Sequence, residues 1–190
     1  MKYTEKAAVS IISKMLRSLK NEPRESLRYT WIDGAGRQCS CDGFRAYRLN
    51  KPVAGLPDMP ANLRAIDLDR IFPDARNMYE ITLPAFEDVK ALCTADRANK
   101  DEPQRYQFPM GEGLPVVNLL YLRDMMQMLP GAPCYVTGLY NPILFVSEHG
   151  DGVLLPLRNS RTTPRQIPGR DNAPRVPVYS AAQFAARYAA

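Results

Sequence analysis

The chain contains 190 residues, of which 45% are hydrophobic and 24% are charged, a composition typical of a globular protein with one ordinary domain or two small ones. Its 25 Lys and Arg residues exceed its 20 Asp and Glu residues, and the resulting formal net charge of +5 attracts polyanions. No apolar run reaches the length of about eighteen residues that a membrane span requires, and the N-terminal residues lack the pattern of a secretory signal. We therefore expect a cytoplasmic protein with no membrane partner.

The first helix predicted along the chain is amphipathic and covers residues 4–20. One side is apolar: Ala8, Ile11, Ile12, Met15, Leu16 and Leu19. The opposite side carries small polar residues and four cations: Lys6, Lys14, Arg17 and Lys20. This basic face has two interpretations, a solvated outer surface or a surface that meets the phosphate backbone of DNA. Under the second interpretation, the four cations are the DNA-binding residues.

Strands and loops follow the first helix. Residues 27–33 and 37–49 predict two strands that are joined by a turn with glycines at positions of positive φ. Residues 51–60 are rich in Pro and Gly and predict a loop. Residues 61–77 leave two alternatives open, a short strand or a single helical turn.

A second strand and helix begin near residue 79. Residues 79–84 alternate as in a strand that Pro84 ends, and a helix is expected from residue 85 to about residue 98. The predicted polar side of this helix is mixed in sign: Glu87, Asp88, Lys90, Asp96 and Arg97. It is therefore a poorer candidate for lining DNA than the first helix.

The last predicted elements form a helix followed by three strands. Residues 104–110 predict a strand, and residues 118–129 predict a third helix, which Pro130 and Gly131 end. We expect this helix to pack four apolar side chains on a sheet: Leu119, Leu122, Met126 and Leu129. Strands are expected over residues 134–139, 143–148 and 153–157. The whole pattern predicts an α+β fold of short helices packed on antiparallel sheet.

The four cysteines favour packed thiols over a metal site or disulfides. Cys39 and Cys41 are two residues apart on a predicted strand, whereas Cys93 and Cys134 are isolated. This is not the paired C-x-x-C spacing of a zinc site, and His149 is the only histidine. We expect reduced thiols that pack as small apolar groups, and no bound metal.

The C-terminal segment differs in composition from the rest of the chain. Residues 158–177 are rich in Arg and Pro, with Asp171 as the single acid, which is typical of an extended arm. Residues 180–190 predict a short helix capped by Ser180. Two alternatives stay open: an arm that packs its aromatic end on a neighbouring surface, or a tail.

Two groups of residues resemble the bacterial DNA sliding clamp family, the beta subunit of the replicative DNA polymerase. Residues 117–129 (VNLLYLRDMMQML) and 153–158 (VLLPLR) are similar to the strand-Asn-x-x-Tyr-Leu-x-Asp helix and the Met-Pro-Met-Arg strand at the end of that clamp. Residues 41–49 (CDGFRAYRL) resemble its Thr-Asp-Gly-His-Arg-Leu signature. Cys41, Phe44 and Ala46 replace the Thr, His and Leu of that signature.

The resemblance implies a DNA clamp-like fold of about one to one and a half clamp-type domains. Its implied units are an N-terminal clamp-like unit over 1–78, a C-terminal clamp-like unit over 79–158 and a basic, Pro-rich arm over 159–190. It also implies a peptide groove at eight positions: Asp42, Gly43, Phe44, Arg45, Leu155, Pro156, Leu157 and Arg158. Phe44 would reshape this groove. The alternative is that Leu155 and Leu157 are ordinary core residues of a strand and that Arg45 is a surface cation.

No motif in the sequence indicates an enzyme. His149 and Asp151 fit a hairpin turn, and no phosphate-binding glycine loop is present. We therefore expect a non-enzymatic protein without cofactors that binds duplex DNA without sequence specificity, a peptide of a replication or repair protein, or both. Encirclement of DNA would require a homo-oligomer.

The alternative is an interaction or regulatory module with a clamp fold and no DNA function. The two expectations differ in the sign of the charges that the helices, the second and third in particular, carry on their concave faces. Exposed acids on these helices would argue against encirclement of DNA.

Overall fold

A computed structural model describes residues 2–101, 105–111 and 113–158 of the chain. Over these residues the fold is mixed, with three α-helices and nine strands that pair in antiparallel fashion. The coarse prediction of helices combined with antiparallel sheet is confirmed. The predicted arm over 159–190, including its terminal helix, lies outside the described residues.

Helix α1 (Glu5–Ser18) forms as its periodicity predicts. The Ala7 N–H donates to the Thr4 hydroxyl oxygen at 3.2 Å and caps the N-terminus. Glu5 occupies the first turn, where a carboxylate interacts favourably with the helix dipole. The inward stripe is the predicted one: Ala8, Ile11, Ile12, Met15 and Leu16 are buried.

Strands β1 (Trp31–Ile32), β2 (Gln38–Cys41) and β3 (Arg45–Leu49) follow α1. The prediction of one uninterrupted strand over residues 37–49 is wrong, because a tight turn at Asp42 divides it into β2 and β3. Gly43 adopts a φ of +86° in that turn, a conformation that favours glycine.

The segment after β3 forms short helical turns at Leu68–Arg70 and Ala75–Asn77 rather than a strand. This segment covers the sheet near Arg48. The Arg48 guanidinium carbon lies 3.8 Å from the centroid of the Phe72 ring, and its Nη1 donates to Asp69 at 2.8 Å. Of the two alternatives for this region, the helical one is confirmed.

The second half of the chain supplies the remaining elements. They are β4 (Tyr79–Ile81), α2 (Phe86–Ala98), β5 (Gln107–Pro109), β6 (Val116–Asn118), α3 (Leu119–Met128), β7 (Cys134–Val136), β8 (Ile143–Ser147) and β9 (Gly150–Leu154). Asn118 caps α3 because its side-chain oxygen accepts from the N–H groups of Leu120 at 2.9 Å and Tyr121 at 3.3 Å.

Two similar chain segments build one sheet. In each, a helix is followed by three antiparallel strands: α1 by β1, β2 and β3, and α3 by β7, β8 and β9. The sheet order is β1-β2-β3-β9-β8-β7-β4, so the last strands of the two segments pair with each other. This β3–β9 pairing runs from Arg45 opposite Leu154 to Leu49 opposite Gly150. Strands from residues 1–78 and 79–158 therefore share a single seven-stranded sheet.

Helix α3 packs against both other helices and against β9. Its close approach depends on Gly152, since a Cβ atom at that position would collide with the Met125 sulfur and crowd Leu129. Leu119, Leu122 and Leu129 are buried as predicted. Met126 is only half-buried, and Met125 and Met128 hold the innermost positions instead.

Leu122 tests the packing of α3, because its side chain is fully buried. Leu122→Asp places an unpaired charge in the core, and we expect the free energy of unfolding to fall by about 3 kcal/mol or more. Chemical denaturation followed by circular dichroism measures this change. The matched control is Ser10→Asp on the exposed side of α1, which we expect to stay within about 0.5 kcal/mol of the wild type. Equal midpoints for the two variants would contradict the packing.

Candidate functional site

The two sequence motifs meet at one end of the β3–β9 pair. In the turn before β3, Asp42 Oδ1 accepts from the N–H groups of Phe44 at 2.9 Å and Arg45 at 2.8 Å. Asp42 Oδ2 accepts from Arg45 Nε at 3.0 Å. The carboxylate of Asp42 therefore fixes both the backbone of the turn and the side chain of Arg45.

Arg45 joins this turn to helix α3. Its Nη1 donates to Asp124 Oδ2 at 2.8 Å, and the other carboxylate oxygen of Asp124 accepts from Nε of Arg123 at 3.1 Å. Asp42, Arg45 and Asp124 are all buried, so their charges depend on each other rather than on water. The four side chains carry two positive and two negative charges and balance one another.

The environment of this network favours the charged guanidinium of Arg45. Burial alone would lower the pKa of Arg45, but Tyr47, Asp124 and Asp42 outweigh it and raise that pKa above its ordinary value. Burial also raises the pKa of Tyr121, with Asp42 adding to the effect. The Tyr121 ring lies under Arg45, 4.4 Å from the guanidinium carbon to the ring centroid.

An aromatic surface lies over the buried network. Phe44 is 59% exposed, and its ring centroid is 6.3 Å from that of Tyr121. The Leu155 N–H donates to the Phe44 carbonyl oxygen at 2.8 Å, which extends the β3–β9 pairing beyond β9. Two residues later, the Leu157 N–H donates to the Val116 carbonyl oxygen at 2.7 Å. The two halves of the predicted peptide groove are therefore adjacent.

The eight predicted groove residues differ in their accessibility. Asp42 and Arg45 are buried and engaged with internal partners, so Arg45 is not a surface cation. Phe44 and Arg158 are exposed. Four residues are half-buried: Gly43, Leu155, Pro156 and Leu157. The surface that a partner could contact is therefore mainly apolar, with Arg158 as its exposed cation, and its role as a peptide groove stays a prediction.

The four cations predicted to bind DNA are all exposed: Lys6, Lys14, Arg17 and Lys20. They lie on or just beyond α1, on an element separate from the aromatic surface. Glu5 is the exposed acid of this helix. The structure thus gives α1 a solvent-facing side on which cations predominate, and leaves their role a prediction.

The acids of α2 and α3 are mostly hidden. Asp88 is 7% exposed, Asp96 is 2% exposed and Asp124 is 4% exposed. The prediction that Asp88 and Asp96 lie on a polar outer side of α2 is wrong. Asp96 instead turns inward, where one of its oxygens accepts from the Tyr106 N–H at 2.7 Å. Neighbour spacing on α2 gave no sign of this partner, which is supplied by the chain after the helix.

The exposed and half-exposed charges of the helices are therefore mainly positive. Within the bounds of α1, α2 and α3 these cations are Lys6, Lys14, Arg17, Lys90, Arg97 and the half-buried Arg123. The exposed acids within the same bounds are Glu5 and Glu87. The three helices contain nearly equal numbers of acids and cations. Because most of the acids are buried, the charges that the helices expose are mainly positive.

The cysteines are buried, as predicted, and none of the four forms a disulfide. Burial raises the pKa of each thiol, and that of Cys39 reaches about 12. In the described part of the chain, no cluster of three or more His, Cys, Asp and Glu side chains is arranged to hold a metal ion.

Within residues 2–101, 105–111 and 113–158, no helix combines the length and the apolar character needed to cross a membrane. Compared with known proteins, the sequence matches no family model and no curated protein sequence.

Asp124 tests the buried network. Asp124→Asn removes the carboxylate that Arg123 pairs with and leaves Asp42 as the acidic partner of Arg45, and we expect the free energy of unfolding to fall by about 3 kcal/mol or more. Glu87→Gln is the control, since Glu87 pairs with Lys90 at 3.5 Å on the surface and such pairs contribute less than about 1 kcal/mol. Thermal and chemical denaturation measure both. A similar small loss for both variants would show that the network contributes little to stability.

The thiols test the burial of the cysteines. Because burial keeps the thiols in the neutral form and out of solvent, we expect negligible reaction with Ellman's reagent at pH 8 in the native protein. After unfolding in guanidinium chloride, all 4 cysteines should react. Rapid reaction of one or more thiols in the native protein would contradict the structure at those positions.

Proposed function

We propose that this chain is a non-enzymatic, clamp-like protein that binds duplex DNA without sequence specificity through the exposed cations of its helices. The observation that carries the proposal is the separation of helical charges. Asp88, Asp96 and Asp124 are buried, while Lys6, Lys14, Arg17, Lys90 and Arg97 are exposed. Acids that would repel phosphates are therefore held away from the surface.

This charge arrangement suits contact with a phosphate backbone. Exposed Lys and Arg side chains neutralise phosphates and release counterions, which supplies affinity without reading bases. A charge imbalance on one surface also raises the local concentration of a polyanion and steers its approach. Of the two expectations drawn from the sequence, the exposed charges of α2 and α3 favour the one that includes DNA.

The chain order supports a clamp-type domain. Such domains contain two helices in a pseudo-repeat, and here α1 and α3 each precede three antiparallel strands that meet at the β3–β9 pair. In this proposal the described elements correspond to one such domain. Because one domain has too few helices to line a channel around duplex DNA, encirclement would require a homo-oligomer.

A second candidate function rests on the aromatic surface at Phe44. A large apolar side chain that is 59% exposed, next to Tyr121 and Leu155, favours contact with a partner protein. The partner would insert apolar side chains beside Phe44, as a peptide of a replication or repair protein does in the sliding clamp. This function is compatible with DNA binding, and alone it would describe an interaction module.

The proposal predicts salt-dependent binding of duplex DNA. Fluorescence anisotropy over a range of salt concentrations should give a log-log slope of about −0.9 for each phosphate neutralised. The variant Lys6→Ala, Lys14→Ala, Arg17→Ala, Lys20→Ala should bind more weakly and with a shallower slope. Two duplexes of different sequence should bind the wild type with equal affinity, because no base readout is involved.

A charge-matched control removes four exposed cations outside α1, α2 and α3: Lys51→Ala, Arg64→Ala, Arg70→Ala and Arg76→Ala. We expect this control to retain most of the affinity and the slope of the wild type. Equal losses of DNA affinity in the two variants would show that binding depends only on the net charge of the protein. That result would contradict the assignment of the DNA-binding residues to α1. Absence of duplex binding by the wild type at low salt would leave the interaction module as the better description.

A further inference from the structure

The cleft between α2 and α3 concentrates positive charge. It encloses about 330 Å³, and its polar lining consists of Lys90, Thr94, Arg97, Arg123 and Gln127. None of the described residues that line it is acidic. The volume is near the lower end of the range for small-molecule sites, which suits a compact ligand.

Helical spacing explains why these side chains converge. Lys90, Thr94 and Arg97 are separated by four and three residues and therefore lie along one face of α2. Arg123 and Gln127 are four residues apart on α3 and face the same cleft. The two helices pack directly against each other, so both rows of side chains border one space.

Nearby acids neutralise this cluster only in part. Asp88 and Asp96 are buried in the fold and do not line the cleft. Asp124 is already shared between Arg45 and Arg123. Glu87 meets Lys90 at 3.5 Å, but both side chains are exposed, and such pairs are weak.

Of the three cations that line the cleft, Arg97 is the least neutralised by acidic side chains. It makes no ion pair with any described residue, although it borders the same cleft as two other cations. Like charges around one partly enclosed space repel each other more strongly than charges in open water. An anion placed among them would relieve that repulsion and gain several charge-assisted hydrogen bonds.

We infer that the α2–α3 cleft is a binding site for a phosphate group. Arg97 offers guanidinium N–H groups that match phosphate oxygens, and Arg123 offers its Nη1, because its Nε and Nη2 are engaged with Asp124. Lys90 adds a point charge, and the Gln127 amide adds further N–H donors. The phosphate belongs either to the backbone of a nucleic acid strand or to a small phosphorylated ligand. The site does not depend on the exposed face of α1, and it adds a distinct contact to the proposed DNA-binding surface.

Titration of inorganic phosphate into the full chain by isothermal calorimetry at low ionic strength tests the site. The wild type should bind phosphate, and Lys90→Gln with Arg97→Gln should weaken binding by about tenfold or more, since each charged hydrogen bond lost costs about 1.5 kcal/mol or more. The control Lys51→Gln with Arg64→Gln removes the same charge from exposed positions outside the cleft and should bind as the wild type does. Thermal melts verify that both variants are folded.

Equal phosphate affinity in the cleft variant and the wild type would overturn the inference, as would absence of phosphate binding by the wild type. Duplex binding across salt concentrations then identifies the source of the phosphate. A salt slope shallower by about 1 to 2 in the cleft variant assigns the cleft to a nucleic acid strand. An unchanged slope, with phosphate binding lost, assigns it to a small phosphorylated ligand. Because the phosphate titration contains no DNA, its result is independent of the proposed function.

Discussion

The pairing of β3 with β9 is the contact on which the rest of the structure depends. It joins the two helix-and-three-strand segments into one sheet, in which residue 45 lies opposite residue 154 and residue 49 opposite residue 150. Two glycines of β9 make the arrangement possible. A Cβ atom at Gly150 would collide with the backbone of Arg48, and one at Gly152 would collide with the Met125 side chain of α3. Strand β9 therefore lies very close to its neighbour β3 within the sheet and to α3 on one face of the sheet.

The buried charged side chains add a second connection to the one that the backbone pairing of β3 with β9 provides. Arg45 lies at the first position of β3, and its ion pairs with Asp42 and Asp124 connect the turn before the strand to α3. Removing charges from water is costly, and only well-placed partners offset that cost. The geometry of β3 therefore determines where α3 can sit. Burial of Asp124 in this network also removes an acid from the surface of the helices, so one structural feature contributes to both stability and surface charge.

Elements with strong local signals could be predicted from the sequence. The apolar stripe of α1 depends on neighbours within the same helix, and it has the predicted form. The division of residues 37–49 was missed because Asp42 stabilises a turn through its own side chain, whereas the apolar pattern continues on both sides. The inward orientation of Asp96 was missed because its partner, the Tyr106 N–H, lies outside the helix. Local spacing cannot identify partners that only the tertiary fold brings together.

The candidate site also combines features that could be predicted from the sequence with features that could not. The residues of the two motifs could be named from the sequence, and the structure brings Phe44, Tyr121 and Leu155 together. Their accessibility could not be predicted, because burial of Asp42 and Arg45 depends on α3. The basic face of α1 could be predicted, but the excess of exposed cations on α2 and α3 could not, since a count of charges gives no information on which acids are buried. The cleft between α2 and α3 has no sequence motif, because its cations come from two helices that are distant in the chain.

The central claim is that the exposed side of the helices, and not the rest of the surface, contacts a phosphate backbone. Lysine footprinting tests it most directly: brief acetylation of the full chain with and without duplex DNA, followed by mass spectrometry of the peptides. We expect DNA to protect Lys6 and Lys14 from acetylation and to leave Lys51, which lies outside the helices, as reactive as before. Equal protection of Lys51 and the helical lysines, or protection of Lys51 alone, would contradict it.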